Sequence, residues 1–347
     1  MMRSDASPPF AAQTAARARI LLAFAAVIVA LLVADLASGA ASLGPSALFN
    51  ALLHPGATDT TSQLIVWQLR LPQAIMAVLV GSALGLAGAE MQTVLDNPLA
   101  SPFTLGISSA AALGAALSLA LGWQLPGLAV AYGVAVNAFL LALLCSLVLD
   151  LAARRLRMPQ QGIVLLGIAL VFGFNALLAL IQLVSDASAL QNLLYWMMGS
   201  LGTSRWPDIV LLGAVLLACV IFSMQQAWRL TALRFGEERA ASFGVDTRRT
   251  RRLALMRISL LTATAVALAG VIGFVGLIAP HIARRLVGED HRWYLPASAC
   301  TGAVILSGAS VCAKQLSTQI EIPVGIVTTL VGIPFFIAVL ARRRRTG

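Results

Sequence analysis

Lysine occurs once in this chain of 347 residues, at Lys314, and charged residues of every kind make up only 11%. A P-loop places a lysine on the phosphates behind a glycine-rich turn that opens a helix. Lys314 stands in no such loop, so the chain by itself is not a P-loop ATPase. Histidine is nearly as scarce. His54, His281 and His291 are far apart and lack both metal-ligand and triad spacing, which removes zinc hydrolases and Ser-His-Asp enzymes. His281, directly after Pro280, is expected to start a helix. The four cysteines, Cys145, Cys219, Cys300 and Cys312, all fall in apolar stretches and are expected to pack rather than to ligate. No catalytic residue, metal or cofactor is expected.

What fills the chain instead is oil: 59% of residues are hydrophobic and the mean hydropathy is +0.88, far outside the range of soluble domains. Apolar runs cover residues 20–34, 71–89, 97–149, 158–185, 209–228, 258–283, 293–313 and 322–341. About 20 apolar residues cross a bilayer as a helix. The run 97–149 is too long for one crossing and breaks at "GWQLPG", and 258–283 breaks at "GVIGFVG" and Pro280, giving ten helices. Transmembrane strands would alternate apolar and polar residues, and these runs do not.

Threading ten crossings from a cytoplasmic N-terminus puts 21 of the 24 basic residues on one side, including eight between Arg229 and Arg257. Only Arg70, Arg205 and Lys314 fall outside, the asymmetry expected of cytoplasmic loops. Both termini are thus expected in the cytoplasm, with a short N-terminal segment (1–19) and a basic tail (342–347). The net charge of +10 is a topology signal, since no basic domain outside the membrane could carry nucleic acid. A cleavable signal peptide over 20–34 would invert the asymmetry, so this run is read as the first crossing.

One membrane domain over 1–347 is expected, with an internal repeat. "SALGLAGAEMQTVLDNP" (82–98) resembles "TAVALAGVIGFVGLIAP" (264–280), each with Leu-Ala-Gly nine or so residues before proline. The first lies in helix 2 running inward, the second in helix 7 running outward, as in an inverted repeat of helices 2–5 and 7–10. "DNPLASPFTLGISS" (96–109) is expected either to break a helix beside a pathway or to form a plain turn.

The deepest ionisable group is Glu90, which stands nearly alone and gives thin support for an ion-coupled carrier. The remaining reading is a pathway without its own motor. The longest inner connection, 229–252, contains "RFGEERAASFGVDTRRTRR", with nine charges in nineteen residues. Its acidic start, its helix formers through Ala241 and Gly244 at the end describe a short helix, a docking surface for a cytoplasmic partner. Orientation alone would need only arginine, and Glu237 and Glu238 exceed that need.

"WQLRLPQ", "DNPLASPFTLGISSAAALGA", "YWMMGSL", "FGEERAASFGVD", "GFVGLIAPHIARRLVGEDHR" and "EIPVGIVTTLVGIPFFIAVL", in this order, resemble the FecCD/BtuC-like permeases of type II ABC importers for iron-siderophore complexes, haem and cobalamin. The resemblance covers nearly the whole chain. It implies a homodimer in the bacterial inner membrane around a central pathway, two cytoplasmic ATP-binding subunits and a periplasmic binding protein that delivers a metal chelate. Gly236, Glu237, Glu238, Arg239, Ala240 and Gly244 match the ATPase-coupling segment, with Arg239 replacing an alanine of the looser EAA-x3-G pattern. Arg70 and Lys314 match positions that dock the binding protein, and Gln73 replaces a frequent arginine. Helices 5, 8 and 10 would line the pathway, with Trp196, Met197 and Met198 near its entrance and Gln160 and Gln161 at its inner gate. A ferric siderophore is the expected cargo, ahead of haem and cobalamin.

Overall fold

Hydrocarbon offers no partner to a backbone amide, so each apolar run closes its hydrogen bonds within itself. The computed structural model describes residues 10–39, 44–54, 60–126, 130–156, 158, 160–316 and 322–343, and among them it is helical with no strand. Arg3, Arg157, and Arg344 and Arg345 of the expected basic tail lie outside the described residues.

The helices in order are α1 (Phe10–Ala37), α2 (Pro45–Leu53), α3 (Thr60–Leu64), α4 (Leu71–Val94), α5 (Ile107–Leu119), α6 (Val130–Arg155), α7 (Gln160–Val184), α8 (Ala187–Met197), α9 (Trp206–Gln225), α10 (Ala227–Leu233), α11 (Glu237–Ser242), α12 (Thr247–Ala269), α13 (Val275–Val287), α14 (His291–Leu316) and α15 (Val324–Arg343). A π-helical stretch, Ile65–Arg70, joins α3 to α4 without a break. Seven spans are long and apolar enough to cross a membrane: α1, α3 with α4, α6, α7, α9, α12 and α14. Two shorter apolar stretches, Ile107–Leu119 in α5 and Val324–Ala338 in α15, add to these among the described residues, against the ten crossings expected.

The repeat is visible in the lengths of successive helices. α4, α5, α6 and α7 have 24, 13, 26 and 25 residues, and α12, α13, α14 and α15 have 23, 13, 26 and 20. Both 13-residue helices follow a left-handed residue, Gly106 at φ 84° and Phe274 at φ 67°. The residue-level match lies elsewhere than expected: Leu86-Ala87-Gly88 sits inside the unbroken α4, whereas Leu268-Ala269-Gly270 ends α12. Composition produced that likeness; helix order and length carry the repeat.

The break in 258–283 falls only at Gly270–Gly273. Pro280 lies inside α13, and His281 therefore sits mid-helix, its ring edge-on to Phe335 at 6.1 Å. A proline cannot donate to the carbonyl four residues back, here that of Gly276. That carbonyl is pressed against Gly88 of α4: a Cβ on Gly88 would lie 1.9 Å from it. The stretch 96–106 is a turn whose Ala100, Ser101 and Leu105 are buried, which leaves α5 short.

α4 is the central element. Its Gly81 and Gly85 meet Gly302 and Ser298 of α14 backbone to backbone, the small-residue contact that holds helices together in lipid. Gly88→Ala is expected to cost about 1–3 kcal/mol through overpacking, read as a lowered melting temperature in detergent. Gly122→Ala, where nothing lies within 4 Å of the added methyl, keeps any effect to the strain of its φ of 62°.

Candidate functional site

The charged segment after α9 folds as two short helices. α10 ends at Leu233, and Gly236, at φ 96°, turns the chain into α11. Gly244, at φ 79°, ends α11 in a Schellman motif: Val245 N donates to Ala240 O at 3.1 Å and Gly244 N to Ala241 O at 2.9 Å. Ala240 and Val245, the pair that this motif brings together, are both buried. The rest of α11 faces outward. Glu237, Glu238, Arg239 and Gly244 are exposed, and so are two aromatics that flank the helix, Phe235 at 58% and Phe243 at 61%. Sequence reading passed over both, because a lone Phe in an apolar chain looks like core.

Behind this platform, cations hold the end of α4. Arg251 pairs with Glu237 and donates from Nε to Val94 O at 3.1 Å. Arg234 lies 3.6 Å from Asp96 and 2.6 Å from Glu289. His291, fully buried, contacts the Thr93 hydroxyl at 2.8 Å through Nε2 and the Thr231 hydroxyl at 3.1 Å through Nδ1. Asp290 is held below the ordinary carboxylate range, first by its hydrogen bond from Arg292. Platform, α4, α12 and α14 thus meet in one polar layer at the basic end.

Glu90 does not stand alone. It is fully buried in α4, and Arg257 of α12 donates from Nε to its two oxygens at 3.0 and 3.1 Å. Ser223 of α9 lies beside it, its hydroxyl donating to Cys219 O at 2.6 Å. Arg257 is accordingly an interior residue rather than part of the basic loop: it sits ten residues into α12, about 15 Å along the axis. The contacts of Arg251 with Val94 and of Arg257 with Glu90 also fix α12 antiparallel to α4.

At the other end, Arg70 and Lys314, expected as docking charges, both point inward. Arg70 is 5% exposed and donates from Nη1 to Leu36 O at 2.8 Å. Lys314 Nζ lies 2.8 Å from Asp35 Oδ2, and Ser310 donates to Asp35 Oδ1 at 2.7 Å. A buried carboxylate needs such partners. The two cations fasten the end of α1 to α4 and α14.

The residues expected at the pathway entrance lie where chain breaks meet. α8 is capped by Asp186, whose Oδ1 accepts from Ala189 N at 2.7 Å; that bond, first among the causes, holds its carboxyl below the usual range. α8 carries Trp196 and Met197, with Met198 as its C-cap and half-exposed. The carbonyl of Trp196 packs on Gly270 and that of Met198 on Gly325, so α8 rests on the α12–α13 break and the start of α15. α7 is exposed on most of its sides, and Gln161, Leu165, Ile168, Phe172, Asn175, Ala179 and Leu183 form one exposed stripe at three- and four-residue spacing. The side chain of Gln160 lies outside the described residues; its backbone opens α7. Phe274, strained at φ 67°, lays its ring on Gly332 of α15, where an added Cβ would come within 2.5 Å.

Against known proteins, a family model described as the FecCD transport family matches residues 26–342. The chain belongs to the FecCD transport family. This FecCD protein is 35% identical to the hemin transport system permease of Yersinia pestis, over 94% of its own length and 96% of the relative's. It is 37% identical to the vitamin B12 import system permease of Vibrio cholerae, over 82% of this chain and 85% of the relative. It superimposes with a TM-score of 0.81 and 30% identity on a solved inward-facing structure described as a metal-chelate type ABC transporter, covering 93% of this chain and 99% of that one. The FecCD chain is a multi-pass membrane permease of the type II ABC importer class.

Proposed function

We propose that two copies of this permease form a pathway for a bulky metal chelate, opened and closed by ATP-binding subunits on the basic, cytoplasmic side. The observation that carries this is α11: a glycine-bounded helix with Phe235 and Phe243 exposed on either side. Exposed aromatics on a fixed frame are the anchors a stable partner uses. Gly236, Glu238, Arg239 and Gly244 lie on the same face, with Ala240 as its buried foot and Glu237 tied back to Arg251. The open stripe of α7 supports the homodimer, since Asn175 would be costly against lipid and suits a water-filled or protein-facing surface. Gln161 on that stripe, with Gln160 beside it, fits an inner gate, and Trp196, Met197 and Met198 fit the outer mouth.

Glu90, the one group that favoured an ion-coupled carrier, is engaged by Arg257, and this supports the ATP-driven reading. For cargo, a ferric siderophore is proposed ahead of haem and cobalamin, the ligands in the relatives' names. The binding protein that delivers the chelate would dock at the end of the bundle that carries Arg70 and Lys314. The test is uptake into vesicles holding the permease with its ATPase and binding protein, using ferric siderophores, hemin and cobalamin in turn. ATP-dependent accumulation of a ferric siderophore alone supports the cargo assignment. Accumulation of hemin or cobalamin instead replaces it, and uptake that survives without ATP removes the importer reading.

A further inference from the structure

We propose that a cavity at the basic end, bordering the coupling platform, binds the phosphate headgroup of an anionic phospholipid. The cavity, about 940 Å³, lies between the end of α4, the end of α6, the start of α7, α10–α11 and the start of α12. Three of its four carboxylates are in ion pairs. Asp150 is taken by Arg154, Glu237 by Arg251 and Asp96 by Arg234. Asp246 caps α12 by accepting from Arg249 N at 2.9 Å. The guanidinium groups of Arg248, Arg249 and Arg252 are left over: all three residues line the cavity, are exposed and make no ion pair among the described residues. Against these three arginines stands the one carboxylate without an ion pair, Asp246, and the remaining positive surplus calls for an anion; phosphate oxygens suit the guanidinium fork.

The walls point to lipid as the source. Val94, Met158, Ile163, Leu233 and Leu255 make part of the lining apolar, which a soluble phosphate would not require. The site sits at the last turns of α4 and α6 and the first turns of α7 and α12, the level at which headgroups lie. Exposed apolar side chains lead away from it into the bilayer: Leu144, Leu147 and Leu151 along α6, and Met256 one turn beyond Arg252 on α12. Basic pockets between helices on the cytoplasmic side take anionic headgroups in this way.

The experiment uses the full chain purified in detergent, with native mass spectrometry reading lipid retention. Phosphatidylglycerol is expected to remain bound and phosphatidylcholine to be lost. In R248Q/R249Q/R252Q the apparent affinity for phosphatidylglycerol should fall roughly 100-fold, at about one surface arginine's contribution each. R229Q, which removes an exposed cation outside the cavity, should leave retention within about twofold. Equal retention of both lipids, or equal loss in R229Q and the triple variant, overturns the site. A thermal shift produced by inorganic phosphate alone, abolished by the triple variant, would assign the arginines to a soluble anion and overturn the lipid. If the triple variant unfolds, R252Q alone gives the same comparison, with about a fivefold loss expected.

Discussion

Replacing Glu90 with leucine is expected to lower stability by about 3–5 kcal/mol, because it strands Arg257 in the protein interior. The reciprocal change, Arg257→Met, should cost less. A carboxyl left without its cation can take up a proton and donate it to the neighbouring Ser223 Oγ, while a guanidinium cannot shed its charge. Glu90→Leu combined with Arg257→Met should recover much of the loss, since two apolar groups of similar volume need no partner. Melting temperatures of the four proteins in one detergent decide the matter. Equal effects of the two single changes, or a double variant as unstable as Glu90→Leu, would show that the pair is not the unit described here.

The second large effect is expected at the platform. Phe243→Ala should weaken binding of the ATPase subunit by at least about 2 kcal/mol, roughly 30-fold, as for a central aromatic anchor. Phe235→Ala should act in the same direction. Neither residue packs inside the permease, so the melting temperature should stay within the range of ordinary surface changes, about 0.5 kcal/mol. Glu238→Ala with Arg239→Ala tests the same face through its charges. Glu237→Ala does not, because it also releases Arg251 from α11. Binding measured with purified ATPase subunit separates the outcomes: unchanged affinity for Phe243→Ala removes α11 as the docking surface.

Local features were legible in the sequence and distant ones were not. The end of α11 at Gly244 could be read because a Schellman turn depends on six consecutive residues, and the break at Gly270–Gly273 because glycines mark it directly. Pro280 misled, since the effect of a proline depends on whether its orphaned carbonyl has somewhere to go, and Gly88 of another helix supplies that place. Glu90 looked isolated because its partner is 167 residues away. Asp35 drew no attention, although it decides where Lys314 points from 279 residues away. Exposure of Phe235 and Phe243 depends on where the bilayer ends and the platform begins, which composition does not mark.

The glycine contacts along α4 also divide the molecule by mobility. Where two backbones touch at Gly81 and Gly302, or Gly88 and Gly276, sliding one helix past the other would drive carbonyl oxygens into main-chain atoms. Amides of α4, α13 and α14 along these seams should therefore exchange with solvent deuterium only through rare, large openings. α7 exposes a full stripe and has few such constraints, so its amides should exchange faster and change most between resting and working states. A transporter built this way keeps a stiff mast and lets its outer staves move.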